Sequence, residues 1–401
     1  MSTTADDLPD SSHCDLALIE LLRHQIEVGG VLSFREFMEL ALYHPNLGYY
    51  CKNLRTIGPS GDFVTSVSQT PVFGWLLACQ FVEWTENRDF DAEARPVWVE
   101  AGAHTGQLAL DILDFCQREF PKTYQKLCYE IVEPSPRRQM AQRERLAAHQ
   151  DRLHWTRSWD DYDPHSLSGV IFSNELLDAF PAERVSWDAD AKQWFAWGVT
   201  LEKGELSWCR LPNPQAASVE RWNRTFSPAL TAHLPDGFTT ELNPDATQWW
   251  HQAASRLKQG HLITIDYGLR EEEFFAPHRH QGTLRAYCQQ RQSSDLLARP
   301  GDQDLTAHVN FSQIERAGWE EGLKTVSLLS QETFLTQIIK TTMERRPQSP
   351  LLHPNHVKAF KTLVHPSHFG RAFSVLVQEK DPGVPTKQPH HQQPLNEYPP
   401  S

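Results

Sequence analysis

Four short stretches carry residue types that could do chemistry. The first is Val97-Trp98-Val99-Glu100-Ala101-Gly102-Ala103-His104-Thr105-Gly106. An apolar run ends in an acid, Glu100, and is followed by a G-x-x-x-G turn. Glycines at Gly102 and Gly106 allow a sharp turn and the close approach of a ligand. A helix beginning there would aim free N–H groups and a positive dipole end at a carboxylate or phosphate. A dinucleotide site would read G-x-G-x-x-G, but His104 and Gln107 stand at the second and third glycine positions, which speaks against a nicotinamide enzyme. A plain tight turn between strand and helix stays open.

The second stretch ends in Glu133, roughly 30 residues after the turn. An acid at the end of the next strand can accept both hydroxyls of a ribose. The bland alternative is a helix cap, although Ser135 could cap instead. The third is 172–181, with Asn174, Glu175 and Asp178. Paired carboxylates there could hold a guanidinium by fork-like hydrogen bonds. A helix start capped by Asn174, with Glu175 on its dipole, has equal weight. The fourth is the loop at 61–66, with Asp62 and Phe63. Flanked by glycine, it could close over a ligand, with Phe63 against a sulfonium or an adenine; a structural loop is the default. His308 and Asp266 are further polar groups at expected strand ends. The pair His390 and His391 reads as part of a solvated tail, and no metal ligands are assigned.

These groups need elements to position them. Alternating apolar runs and helical periods predict strands at 97–103, 129–133, 154–156 and 169–174, with helices at 107–115 and 136–149 between them. This βαβα order predicts a parallel sheet covered on both faces. Ligands of such sheets gather at the carboxyl ends of the strands. The period changes to two over 184–211, which predicts antiparallel strands, and helical material is expected from there to 258. A buried strand at 261–267, a helix at 311–317, and strands at 324–329 and 372–378 complete the pattern. Near the N-terminus, helices are expected at 15–28, 34–43 and 72–84. Ser33 with Glu36 forms a capping box, and His44-Pro45 ends the second helix. Residues 1–14 and 381–401 read as disordered tails.

Composition narrows the function. The 401 residues carry 38 Lys and Arg against 51 Asp and Glu, a net charge of -13. Such a surface disfavours nucleic acid and anionic membranes and favours a small molecule or a protein substrate with a basic segment. Seven scattered cysteines without a CxxC pair read as reduced thiols, and with no apolar run able to span a bilayer the expected place is the cytoplasm. A homodimer is compatible with all of this.

Taken in register, the motifs resemble the MidA-like family of S-adenosylmethionine-dependent methyltransferases, which includes the mitochondrial complex I assembly-factor protein arginine methyltransferase. The matching segments are 33–50, 61–74, EAGAHTGQLALDIL (100–113), 129–135, SNELLDAFP (173–181), 265–268, 282–287 and PGDQDLTAHVNF (300–311). They span 15–380. The resemblance implies an α/β class I methyltransferase fold, a Rossmann-like sheet of seven strands with the last reversed. It divides the chain into an N-terminal helical and lid region (15–95), a cofactor core in two halves (96–183 and 260–380), and a strand and helix insertion (184–259). By position it implies S-adenosyl-L-methionine contacts from Asp62, Glu100, Gly102, Gly106 and Glu133, and acceptor chemistry at Asn174, Glu175 and Asp178, with arginine in a protein as the acceptor. His104 stands where the family has glycine, and Ser68 where its lid commonly has glutamate. A member that binds the cofactor but acts as an assembly protein is the alternative.

Overall fold

The computed structural model describes residues 16–52, 66–88, 95–288 and 291–381. Seven strands form the central sheet: β1 (Val97–Ala101), β2 (Cys128–Val132), β3 (Leu153–Thr156), β4 (Leu167–Asn174), β5 (Leu257–Leu269), β6 (Lys324–Ser330) and β7 (Phe373–Lys380). Their order across the sheet is β6-β7-β5-β4-β1-β2-β3. The strands from β5 to β3 pair in parallel, and β7 runs antiparallel to both β5 and β6. This is the class I methyltransferase arrangement with a reversed last strand, as expected. β4 is buried along most of its length, and so is β5 up to Asp266, because helices cover both faces.

On one face the helices Val72–Glu86 and Gln107–Glu119 pack with Phe81, Trp98, Tyr129 and Phe172. On the other, Pro244–Arg256 and Phe311–Glu320 pack Trp250, Ile314 and Phe311 against Val99, Ile171 and Leu262. Strand and helix connections alternate through this core, so the order of the chain places the turns after β1, β2 and β4 side by side at one edge.

The segment after β4 forms a second sheet. Glu183–Asp188, Gln193–Glu202 and Glu205–Arg210 pair antiparallel, as the period of two predicts. A further strand, Thr239–Leu242, pairs with Glu183–Asp188; it lies within the stretch expected to be helical up to 258. Its partner is distant in sequence, so periodicity within the segment does not reveal it. The N-terminal part joins the same sheet, because Leu32–Ser33 pairs with Gln193–Glu202. Helix Phe34–Tyr43 has the predicted capping box: Ser33 Oγ accepts from Glu36 N, and the Glu36 carboxylate accepts from Ser33 N. Its apolar face shares a core with Val199, Leu284 and Leu305. A small sheet of Arg285–Cys288, Arg291–Ser293 and Asp304–Thr306 returns the chain to the same edge of the main sheet.

Candidate active site

The carboxyl ends of β1, β2, β4 and β5 open into a cleft of about 1630 Å³, lined by Glu100, Gly102, His104, Glu133, Asn174, Glu175 and Asp178 among others. That exceeds the 300–1,000 Å³ usual for one small ligand, leaving room for a cofactor and an acceptor side chain together. Six of the eight sequence-assigned residues line this cleft, and Gly106 sits in the chain between its lining residues Thr105 and Gln107; the eighth, Asp62, lies outside the described residues.

The glycine turn is built as its sequence requires. Gly102 has φ +73 and Gly106 φ +78. A Cβ on Gly102 would stand 2.8 Å from Leu176 Cδ1, so a side chain there would wedge between the loop and the turn after β4. Gly106 caps helix Gln107–Glu119 without any side-chain hydrogen bond. The first N–H groups of that helix are therefore not capped by a side chain, as suits an anionic group of a ligand. His104 has φ +47, in the left-handed region that glycine prefers. Burial and the charges of Arg138 and Arg145 push its pKa down to about 3, so the ring is neutral.

Glu100 and Glu133 are both buried. Burial pushes the Glu100 carboxyl up to about 7, against a hydrogen bond donated by Tyr129 at 2.5 Å. Glu133 Oε1 accepts from Ser135 N at 3.0 Å and Oε2 from Gln142 Nε2 at 3.2 Å. Burial raises its pKa, while Ser135, Arg138 and Gln142 oppose the shift. Ser135, not Glu133, caps helix Pro136–Arg145, so the capping alternative for Glu133 is not what the fold uses. Gln142 Nε2 also donates to His104 O at 3.0 Å, tying the glycine turn to Glu133.

The turn after β4 likewise departs from its bland alternative. Asn174 caps no helix; its Nδ2 donates to Glu175 Oε1 at 3.1 Å, and its buried Oδ1 has no protein partner. A short 3₁₀ turn covers Leu177–Ala179 only. Asp178 lies in a buried cluster with Asp266 and Asp304. Asp266 is fixed by N–H groups of Leu176 (3.2 Å), Leu177 (2.8 Å) and Tyr267 (2.8 Å). Asp304 accepts from Tyr50 Oη at 2.9 Å through both oxygens. Burial, then repulsion from Asp266 and Asp304, pushes Glu175 up to about 8, against the hydrogen bond from Asn174. Burial, then Asp266, Asp304 and Glu175, raises Asp178 well above the carboxylate range. Tyr43, Tyr50, Tyr267 and Tyr287 also line this part of the cleft.

Such a cluster is costly in an empty cleft and is relieved by a cation. Sequence reading missed Asp304, Tyr43, Tyr129 and Gln142 as site groups. Tyr129 and Gln142 read as an ordinary strand and helix residue. Asp304 sits inside a matched motif, with no local mark of chemistry. Among the described residues, no group of three His, Cys, Asp or Glu side chains is arranged to hold a metal ion.

Comparison with known proteins gives one consistent result. Residues 76–329 match the family described as "Putative S-adenosyl-L-methionine-dependent methyltransferase". A zebrafish (Danio rerio) relative named protein arginine methyltransferase NDUFAF7, mitochondrial, is 26% identical over 90% of this chain and 87% of its own. The human (Homo sapiens) protein of that name is 23% identical over 89% and 82%. A crystal structure from Burkholderia thailandensis bound to S-adenosyl-homocysteine superposes with a TM-score of 0.75 at 28% identity, covering 91% of this chain and 92% of that one. The glycine turn, the uncapped helix start and the buried Glu133 fit S-adenosyl-L-methionine as the cofactor. The chain belongs to this family of S-adenosyl-L-methionine-dependent methyltransferases.

Proposed function

We propose that the protein is an arginine N-methyltransferase acting on a protein segment. The observation that carries this is the acidic cluster of buried Asp178, Asp266 and Asp304 with half-buried Glu175 beside the cofactor turn. Their mutual repulsion is offset when a guanidinium enters, and the planar fork of arginine suits paired carboxylates. Bound S-adenosyl-L-methionine supplies a methyl group on a sulfonium leaving group. The chain's part is to orient the acceptor nitrogen and exclude water. Glu133 holds the ribose, and Glu100, Gly102 and Gly106 shape the cofactor turn. Asp178 and Glu175 face the acceptor, and Asn174 orients Glu175. Alone, Glu175 keeps its proton at neutral pH; an entering guanidinium favours its ionised form, and once that proton has gone to solvent the carboxylate can take the one leaving the acceptor nitrogen. The names of the curated relatives agree with this acceptor. The acidic balance of the chain favours a basic segment around the arginine.

Among the described residues all six cysteines are free thiols and no helix is long and apolar enough to cross a membrane; the curated relatives are named mitochondrial. Isotope-labelled S-adenosyl-L-methionine and arginine peptides test the activity. Asp178→Asn should lower the single-turnover rate at least tenfold, about 1.4 kcal/mol, and leave the dissociation constant of S-adenosyl-homocysteine within a factor of about 2. Equal loss in both, or none in either, removes Asp178 from the acceptor site. Cofactor binding with no transfer to any protein of a lysate supports the assembly-protein alternative.

A further inference from the structure

We infer that Arg138 and Tyr50 are positioning residues that mechanically couple the ribose-type acid Glu133 to the acidic acceptor pocket on the far side of the cleft. The inference rests on the acceptor reading only for what occupies that pocket. Arg138 lies in the first turn of helix Pro136–Arg145, immediately after Glu133, and its backbone N donates to Ser135 Oγ at 3.4 Å. Its charge favours the ionised form of Glu133. Its Nη2 donates to the Tyr50 carbonyl at 2.6 Å, and its guanidinium lies 5.8 Å from the centre of the Tyr50 ring. Arg137 adds a bond to Cys51 O at 3.3 Å. The helical turn Tyr49–Lys52 is thus held to helix Pro136–Arg145 through backbone carbonyls.

The same turn is held to the acceptor side through side chains. Tyr50 Oη donates to Asp304, and Lys52 Nζ to Asp302 Oδ1 at 2.5 Å. The Tyr50 ring stacks on Tyr43 at 5.5 Å, and Tyr43 Oη donates to Ala179 O at 2.9 Å, the carbonyl next to Asp178. Asp178 O in turn accepts from Ala307 N at 2.9 Å. The path runs from Glu133 through Ser135, whose N donates to Glu133 Oε1 at 3.0 Å and whose Oγ accepts from Arg138 N, then through Arg138 and Tyr50 to Asp304, and through Tyr43 to the Asp178 turn. Bonds to charged groups, roughly twice as strong as neutral ones, stand at its two ends. The middle is one residue, whose carbonyl and hydroxyl face opposite ways. On this path, a shift of helix Pro136–Arg145 when the cofactor binds is carried by Tyr50 to Asp304.

The test is calorimetric titration of S-adenosyl-homocysteine into the wild type, Tyr50→Phe, Arg138→Met and the double variant, each first checked for folding by its ligand-free melting curve. Tyr50→Phe keeps the ring stack and the carbonyl and removes only the hydroxyl on Asp304. Arg138→Met should weaken binding about tenfold and Tyr50→Phe about threefold, with the double variant no weaker than Arg138→Met alone, the non-additivity of a shared path. Additive losses, or unchanged binding in Tyr50→Phe, overturn the coupling.

Arginine-peptide affinity should also rise about tenfold on saturation with S-adenosyl-homocysteine in the wild type and stay flat in both single variants. Arg138→Lys, which keeps the charge but not the fork, should restore cofactor binding and not this coupling; restoration of both overturns the role given to the fork. A non-additive cofactor cycle in a protein that binds no arginine peptide sustains the coupling and sinks the arginine reading. An additive cycle in a protein that methylates arginine does the reverse.

Discussion

Replacing Glu175 by glutamine should stabilise the ligand-free protein increasingly as pH rises, while slowing methyl transfer. Glu175 has φ +50 and its N–H donates to Ile265 O at 2.9 Å. Glutamine inherits both features, so the backbone terms cancel. Its side-chain oxygen can still accept from Asn174. What changes is the ionisation. Burial first, then Asp266 and Asp304, holds the carboxyl near 8 against a usual 4.5. The folded-state pKa lies above the unfolded one. Between those values the folded chain keeps a proton that the unfolded chain has released, so stability falls as pH rises and the loss is complete above about 8. At about 1.36 kcal/mol per pH unit, this one group costs roughly 3 kcal/mol at pH 7 and roughly 5 kcal/mol above pH 8. The glutamine variant carries none of it.

Urea unfolding followed by the fluorescence of the 13 tryptophans reads the difference directly. The two proteins should match near pH 4.5, with the variant more stable by a gap that widens to pH 8 and then levels. The variant should also transfer methyl more slowly at every pH, because the carboxylate proposed to face the acceptor is gone. A gap that is constant with pH, or a variant less stable above pH 7, would refute the buried-carboxylate account. Unchanged turnover would separate the cluster from catalysis.

Three further outcomes follow from the cofactor side. Glu133→Ala should weaken S-adenosyl-homocysteine binding by about 1.5–3 kcal/mol through loss of a charged acceptor for the ribose; calorimetry showing less than a twofold change would take Glu133 out of the site. His104→Gly should keep or tighten that binding, since the ring is neutral and the backbone there is already glycine-like; a large loss of affinity would show that the imidazole itself contacts the cofactor. Gly102→Ala should destabilise the fold by about 1–2 kcal/mol through its positive φ and the approach to Leu176, seen as a lowered melting temperature; an unchanged melting temperature would mean that the turn relaxes freely.

The alternation of strand and helix, the capping box at Ser33 and the glycine turn were legible because each depends on neighbours a few residues apart. The turn at Gly102–Gly106 needs only its own backbone angles. Glu133 is legible for the same reason, as the acid that ends a strand. The strand Thr239–Leu242 was not, since its pairing with Glu183–Asp188 is a long-range contact that no local period announces. Asn174 looked equally like a cap, and only its hydrogen bond to Glu175 resolves the choice.

What local sequence determined, then, is the cofactor half of the cleft: consecutive strands and their turns, set by periodicity, glycine and caps, and carried to one edge by parallel connections. The half proposed to take the acceptor was decided by tertiary structure. Asp178, Asp266 and Asp304 come from three separate segments and meet only because β5 lies beside β4 and the strand Asp304–Thr306 folds back over the turn after β4. Tyr50 reaches Asp304 across 254 residues. A lone acid in a sequence reads as a solvated charge. It becomes part of a strained acidic cluster only when packing removes its water and sets other acids against it, and that desolvation is a property of the assembled fold.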